Sequence, residues 1–381
     1  MIDKEYYAKL SQNAQENYTF YKEEAEASLH RIEYTTSKRY DISPYWFARQ
    51  GEIPGDILDE ETDTYYGFDK HDSIRISACD DLIDGYAYTA YEENKKTTRT
   101  YVNGMLDSIK EYLLQDGLID RSVEYFPRFD KLEVEEYIYE GNILVQIYQP
   151  QYENNTYFDH LLRTYFEYDE QGILLRVLDG TKGVIYVRMS SEEALIIREA
   201  VKEELIRALK GIIGYLCENQ SGKEYCFMSI YLHDEVHTVY SPIFHPGLQE
   251  VREEQIEIKH NDEEEYYYTI WNSGDHPMND QQELTDQHLI QKLRTLIMYW
   301  RSNGDWWEEG KSLWKEVAYS LNEKTNWSDY SIMTDNFVVF VEWEAMDVMN
   351  GDLQESIPPA KLEVLQSEGL APIIKLHPIH K

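Results

Sequence analysis

A ten-residue pattern occurs twice in this chain at an offset of 100: Tyr65-Tyr66-Gly67-Phe68-Asp69-Lys70-His71-Asp72-Ser73-Ile74 aligns with Tyr165-Phe166-Glu167-Tyr168-Asp169-Glu170-Gln171-Gly172-Ile173-Leu174. Each copy passes from aromatic positions through an acidic turn into aliphatic positions, which is the signature of a β-hairpin. Between them, residues 134–139 and 143–148 flank Glu140-Gly141-Asn142 and read as a third hairpin. The chain has 33 Tyr, and tyrosine suits strands buried on one side, where the ring packs and the hydroxyl stays wet. From residue 65 to a last strand at 184–188 the sequence is therefore committed to an antiparallel meander.

Other elements flank this region. Tyr7, Leu10, Ala14, Tyr18, Tyr21, Ala25, Leu29 and Ile32 recur at spacings of three and four, which predicts one amphipathic helix over residues 3–34. Residues 52–64 carry a Pro-Gly pair among acidic side chains and read as a loop. Ser190 and Glu193 form a capping box before a second helix whose apolar positions run from Ile197 to Leu216. Residues 218–222 are polar and contain a glycine, and they read as a domain boundary. Beyond it, strands are expected at 225–232, 236–244, 266–271 and 337–341. Helices are expected around Leu289–Trp300 and Trp306–Leu321, and a last one from Pro358-Pro359 to Gly369. The expected fold class is α+β with two domains. Residues 1–218 would form a helix plus Tyr-rich meander closed by the long helix, and residues 223–381 a sheet covered by helices.

Charge bounds the function. The chain has 72 Asp/Glu against 36 Lys/Arg, a net of −36. The excess is spread over both halves: residues 221–381 hold 29 acidic and 12 basic side chains, leaving 43 and 24 for residues 1–220. Such a field repels nucleic acid and anionic membrane and favours basic protein surfaces. Cys79, Cys217 and Cys226 have no metal-ligand spacing and read as reduced, buried thiols. The N-terminal residues MIDKEYYAKL contain no apolar leader, and no run is long enough to span a bilayer. A cytoplasmic protein with no cofactor is expected.

Few residues offer chemistry. His233-Asp234-Glu235-Val236-His237 comes nearest to a zincin helix, which needs two His one helical turn apart with Glu directly after the first. Here Asp follows the first His and the flanks are strand-like, so His233 and His237 read as histidines near a turn; a metal site with His245 or His276 is the alternative. Gly310-Lys311-Ser312 lacks the glycine-rich loop of a phosphate cradle. Trp306 and Trp307 read as core. Glu342 and Glu344 flank Trp343 at a strand end and share a face by the two-residue period. With the run Asp262, Glu263, Glu264 and Glu265, they are the candidate partner-binding carboxylates.

Two resemblances add to this. The Tyr-Asp hairpins resemble the YD-repeats of bacterial surface and toxin proteins, over about a dozen residues per copy. Four stretches of the C-terminal part resemble an uncharacterised bacterial domain family found among polymorphic-toxin and immunity loci. They are Tyr225-Cys226-Phe227-Met228-Ser229-Ile230-Tyr231, residues 314–322, Asp335-Asn336-Phe337-Val338-Val339-Phe340-Val341-Glu342-Trp343-Glu344, and Ser356-Ile357-Pro358-Pro359-Ala360-Lys361-Leu362. That family has no established catalytic residues, so none carries over. The resemblance implies a non-enzymatic immunity protein that masks a basic, nuclease-like toxin domain. The alternative is a hydrolase or metal-dependent enzyme built from scattered carboxylates and His233, His237, His245 or His276.

Overall fold

The computed structural model describes residues 2–78, 85–150, 162–220 and 222–373. Cys79 lies outside the described residues. The fold is α+β, with two compact units, Met1–Arg188 and Met189–Lys381. No described helix is long and apolar enough to cross a membrane.

The first unit opens with α1 (Lys4–Glu16) and α2 (Tyr18–Ala27), followed by β1 (Arg31–Thr35), α3 (Trp46–Gln50) and β2 (Ile57–Leu58). The meander then runs through β3 (Tyr65–Phe68), β4 (Ile74–Ala78), β5 (Gly85–Glu92), β6 (Lys95–Val102), β7 (Met105–Gln115), β8 (Leu118–Phe126) and β9 (Lys131–Glu140). It continues in β10 (Ile143–Tyr148), β11 (Arg163–Tyr168), β12 (Leu174–Leu178) and β13 (Val184–Val187). These thirteen strands form one antiparallel sheet in which β3 to β13 each pair with their neighbours in sequence, and β1 joins β3 to β2 at one end.

The repeated hairpins share one turn. Tyr65 pairs with Ala78 and Phe68 with Ile74; Tyr165 pairs with Leu178 and Tyr168 with Leu174. Asp69 Oδ1 accepts the N–H groups of His71 and Ser73, and Asp169 Oδ1 accepts those of Gln171 and Ile173. Asp179 does the same for Thr181 and Gly183, so a third copy lies between β12 and β13. The residue three after each Asp is left-handed: Asp72 (φ 56°), Gly172 (φ 77°) and Lys182 (φ 68°).

The sheet is strongly curled. Tyr40 packs its ring 5.1 Å from Tyr66 and 5.3 Å from Phe68 on β3, while Tyr45 sits 5.6 Å from Phe166 on β11. Eight strand steps separate β3 from β11, about 38 Å in a flat sheet at roughly 4.8 Å per step. Five residues reach at most about 17 Å. With Ser43 against Tyr137 and Arg49 against Glu135 on β9 as well, one short segment touches the same face of β3, β9 and β11, and the sheet wraps around it. Its opposite, convex face carries the helices: Tyr101 donates to Ala14 O (2.9 Å), Tyr6 to Glu111 (3.2 Å), and Arg99 stacks on Tyr21.

The single helix expected over residues 3–34 is three elements. Asn17 breaks it (φ −108°, ψ 25°), its amide donating to Asn13 O in competition with the helix ladder. Ser28 ends α2 by bonding Ala25 O, and His30 N then pairs with Phe68 O, so Ile32 falls in an edge-side strand.

The second unit contains α4 (Ser191–Asn219), β14 (Tyr225–Leu232), α5 (Val236–Tyr240), β15 (Ile243–Leu248), α6 (Gln249–Glu257) and α7 (Glu263–Trp271). It ends with α8 (Gln287–Asn303), α9 (Trp306–Lys324), β16 (Met333–Trp343) and α10 (Pro359–Ser367). The capping box at Ser190 and Glu193 is present. The sheet order is β15-β14-β16, with β14 and β16 parallel.

Three expectations need correction here. The long helix α4 does not close the meander: Val201, Leu205, Leu209, Ile213 and Leu216 share a core with Leu293 and Leu296 of α8 and Val317 and Leu321 of α9. Arg198 and Lys202 clasp Glu316, and Lys292 clasps Glu204. The unit boundary accordingly lies at Arg188, ahead of the helix. Of residues 236–244, Val236–Tyr240 are a helical turn and β15 begins only at Ile243, because Thr238 Oγ1 donates to His233 O and the Trp314 indole donates to Val239 O. Residues 266–271 are helical in α7, where Asp262 caps Glu265 N and three glutamates occupy the positive first turn.

Candidate functional site

The three-stranded sheet divides its side chains between two cores. Met228, Ile230, Val339 and Val341 face α4, α8 and α9, whereas Phe227, Val338 and Phe340 face Trp271 and α10. On this second face Ser229 is the polar residue in an otherwise apolar strand, and it pairs in register with His245 on β15 and Phe340 on β16. Its hydroxyl donates to Glu342 Oε2 (2.5 Å), while Glu342 Oε1 accepts Ser273 N (3.1 Å). Glu342 is only 8% exposed; burial raises its pKa, against the pull of those hydrogen bonds. Glu344 lies past the end of β16 and is exposed, so the two glutamates do not share a face.

His245 and His276 are also inside. His245 Nε2 lies 3.3 Å from Pro277 O, and its Nδ1 lies 3.3 Å from Gln281 Nε2. His276 Nδ1 accepts Leu248 N (2.9 Å). Burial first, then the neighbouring His245 and Arg252, push the His276 pKa down to about 4. His233 and His237 are exposed, with His237 Nδ1 beside the Glu235 carboxylate (3.1 Å). The four histidines thus divide into a buried pair and an exposed pair. Among the described residues, no three His, Cys, Asp or Glu side chains come together as a metal ion would need. Cys226 is fully buried, its thiol pushed up to about 12 by desolvation, which makes it a poor nucleophile.

Gly310 is a packing residue: a Cβ there would stand 2.4 Å from Val239 Cγ1. The Gly310-Lys311-Ser312 sequence is accordingly a close approach of α9 to α5 within a helix. Trp306 and Trp307 are half-buried against the main core.

The first unit holds a polar network that sequence reasoning missed. Arg49 of α3 pairs with Glu135 of β9. Glu135 also accepts from Tyr137 OH (2.5 Å), Ser122 Oγ (3.2 Å) and Gln149 Nε2 (3.1 Å). Burial opposes ionisation of Glu135, but Arg49, Lys110 and Tyr137 outweigh it and hold the pKa at about 2. Every oxygen is occupied, so this network anchors the inner segment to the sheet and leaves no lone pair for catalysis. No short motif marks it, since Arg49 and Glu135 are 86 residues apart.

No family model and no curated protein matches the chain.

What remains at the surface is acidic. Residues 249–271, which form α6 and α7, carry eight Asp/Glu against Arg252 and Lys259, and Arg252 is buried. Asp262, Glu263, Glu264 and Glu265 are exposed, as are Glu250, Glu253, Glu254 and Glu257 of α6. None of the eight has a cationic partner within ion-pair distance among the described residues. Ile256, Ile258, Tyr268 and Met278 are exposed in the same part of the unit.

Proposed function

We propose that the chain is a non-catalytic acidic binding protein that captures a basic protein surface, in the manner of an immunity protein masking a nuclease-like toxin domain. The observation that carries this reading is the surface of α6 and α7, where eight exposed carboxylates stand without cationic partners among the described residues, beside exposed isoleucine, tyrosine and methionine side chains. Unpaired carboxylates of one sign steer a basic partner by long-range attraction. Nearby apolar side chains then supply the desolvated contacts that hold it. Asp262, Glu263, Glu264 and Glu265 belong to this surface. Glu342 does not, because it is enclosed. The enzymatic alternative gains no support, since Ser229, Glu342, His245 and His276 are closed inside the fold and the two histidines do not join the Ser229–Glu342 pair in any hydrogen bond among the described residues. An immunity role of this kind would be carried out in the cytoplasm.

A pull-down from cells encoding the chain tests this, run at low salt and at about 0.5 M, where screening shortens to a few ångströms. A basic protein retained at low salt, largely released at high salt and lost with Glu253→Lys/Glu254→Lys/Glu264→Lys supports the proposal. Equal capture by that variant, or no specific partner at either salt, refutes it.

A further inference from the structure

Arg252 stands on α6 and is 1% exposed. A guanidinium that deep is ordinarily matched by a carboxylate, since an uncompensated buried charge is costly. In a chain with twice as many acids as bases, none lies within ion-pair distance of Arg252 among the described residues. Its Nη2 donates instead to two neutral amide oxygens, Gln249 Oε1 (2.7 Å) and Asn336 Oδ1 (2.8 Å). Its Nε and Nη1 are buried with no hydrogen-bond partner among the described residues.

His276 supplies a second orphan in the same place. Because Nδ1 accepts Leu248 N, the neutral ring carries its proton on Nε2, and that Nε2 is also buried without a partner. Leu248, whose N–H the imidazole accepts, is the residue just before α6, so His276 sits against the first turn of the helix that carries Arg252. Among the described residues no carboxylate bonds the guanidinium directly; Glu368 reaches it only through Asn336, whose amide it accepts at 2.7 Å. The Phe227 ring packs on His276 at 4.9 Å, and the Cys226 thiol gives its hydrogen to Gly247 O. The positive end of the nine-residue helix α6 begins at Gln249, with no side-chain cap. Gln255 follows Arg252 on the same helix with a buried, unpartnered Oε1; exchanging the two ends of that amide would place a donor there instead.

We propose that Arg252 and His276 bind a buried monovalent anion of halide size. Cys226 and Phe227 are fully buried and Gln255 is 6% exposed, so the surroundings are enclosed and suit a small anion. A single negative charge would accept the orphaned N–H groups and neutralise the guanidinium at once. The site is independent of the proposed partner surface, because every group in it points inward.

The test is the melting temperature of the full chain at fixed ionic strength in sodium chloride, sodium bromide and sodium gluconate, whose anion is too large to enter. Each tenfold rise in chloride or bromide above its Kd should raise Tm by roughly 3–5 °C for a unit of this size, and gluconate should give no such rise. Arg252→Met should abolish the halide dependence. Should that variant fail to fold, bromide-soaked crystals of the unaltered protein decide the matter through an anomalous peak between Arg252 and His276. Equal Tm in all three salts, or no bromide at that position, overturns the proposal.

Discussion

The Ser229 hydroxyl on β14 is hydrogen-bonded to the Glu342 carboxylate on β16, deep in the second face of the parallel strand pair. The bond joins two strands far apart in sequence and takes up one carboxylate oxygen, while Ser273 N takes the other. Because burial favours the protonated form of Glu342, Glu342→Gln should change stability by less than about 1 kcal/mol. Ser229→Ala strands one oxygen and should cost about 1–3 kcal/mol. Urea unfolding of the two variants checks both.

His276 makes the C-terminal unit sensitive to mild acid. The unfolded chain takes up a proton near pH 6.5, while the folded form resists protonation down to about pH 4. The stability contributed by the neutral ring is therefore complete above pH 6.5 and lost as pH falls toward 4, about 3 kcal/mol in all. His276→Gln should flatten the stability profile over that window, measured by denaturant midpoints at successive pH values.

Glu135 acts lower on the pH scale. Its pKa near 2 in the folded unit means that its contribution is complete above the ordinary carboxylate value near 4.5 and declines as pH falls from there. Arg49→Met leaves Glu135 buried and unpaired and should cost about 3–5 kcal/mol. Double replacement of both by apolar residues should recover much of that loss. A double-mutant cycle on the unfolding of the N-terminal unit reads the coupling directly.

Gly310→Ala should destabilise the C-terminal unit by about 1–3 kcal/mol, since the added methyl meets Val239 on α5. Pairing it with Val239→Ala should restore much of the loss. A phosphate-binding role would instead leave stability unchanged and alter nucleotide affinity, which calorimetry with ATP can measure.

Reversing charge on α7 should act on rates. Glu263→Lys/Glu264→Lys is expected to slow association with a basic partner about tenfold at low salt, with the difference vanishing at high salt and dissociation little changed. Stopped-flow association with the captured partner checks it.

The sequence made the hairpins legible because an Asp at the head of each turn and a left-handed residue three later are local devices, and local devices survive in a linear string. Other local devices are masked by apolar or aromatic patterning. The tyrosines of α7 suggested a strand, yet the Asp262 cap and the acidic first turn make a helix. Asn17 looked like one polar position on an amphipathic stripe, whereas its amide ends the first helix. The two-residue period would put residues 342 and 344 on one face, but β16 ends at Trp343 and the rule stops where the strand does. Ser229 was visible as the polar interruption of an apolar run. Arg49 and Glu135 were not, because a contact across 86 residues leaves no local trace.

The curled sheet sets an order for folding on the ribosome. Tyr45 is synthesised 121 residues before Phe166, the ring it packs against. The early hairpins can pair as soon as they emerge, each with the strand just made. Tyr40 can dock on β3 early, but the Tyr45 ring must wait for Phe166 until β11 leaves the exit tunnel. The Tyr45 ring is therefore a natural point for a chaperone to engage the nascent chain, and truncation before residue 163 would remove both of its ring partners, Phe166 and Tyr168.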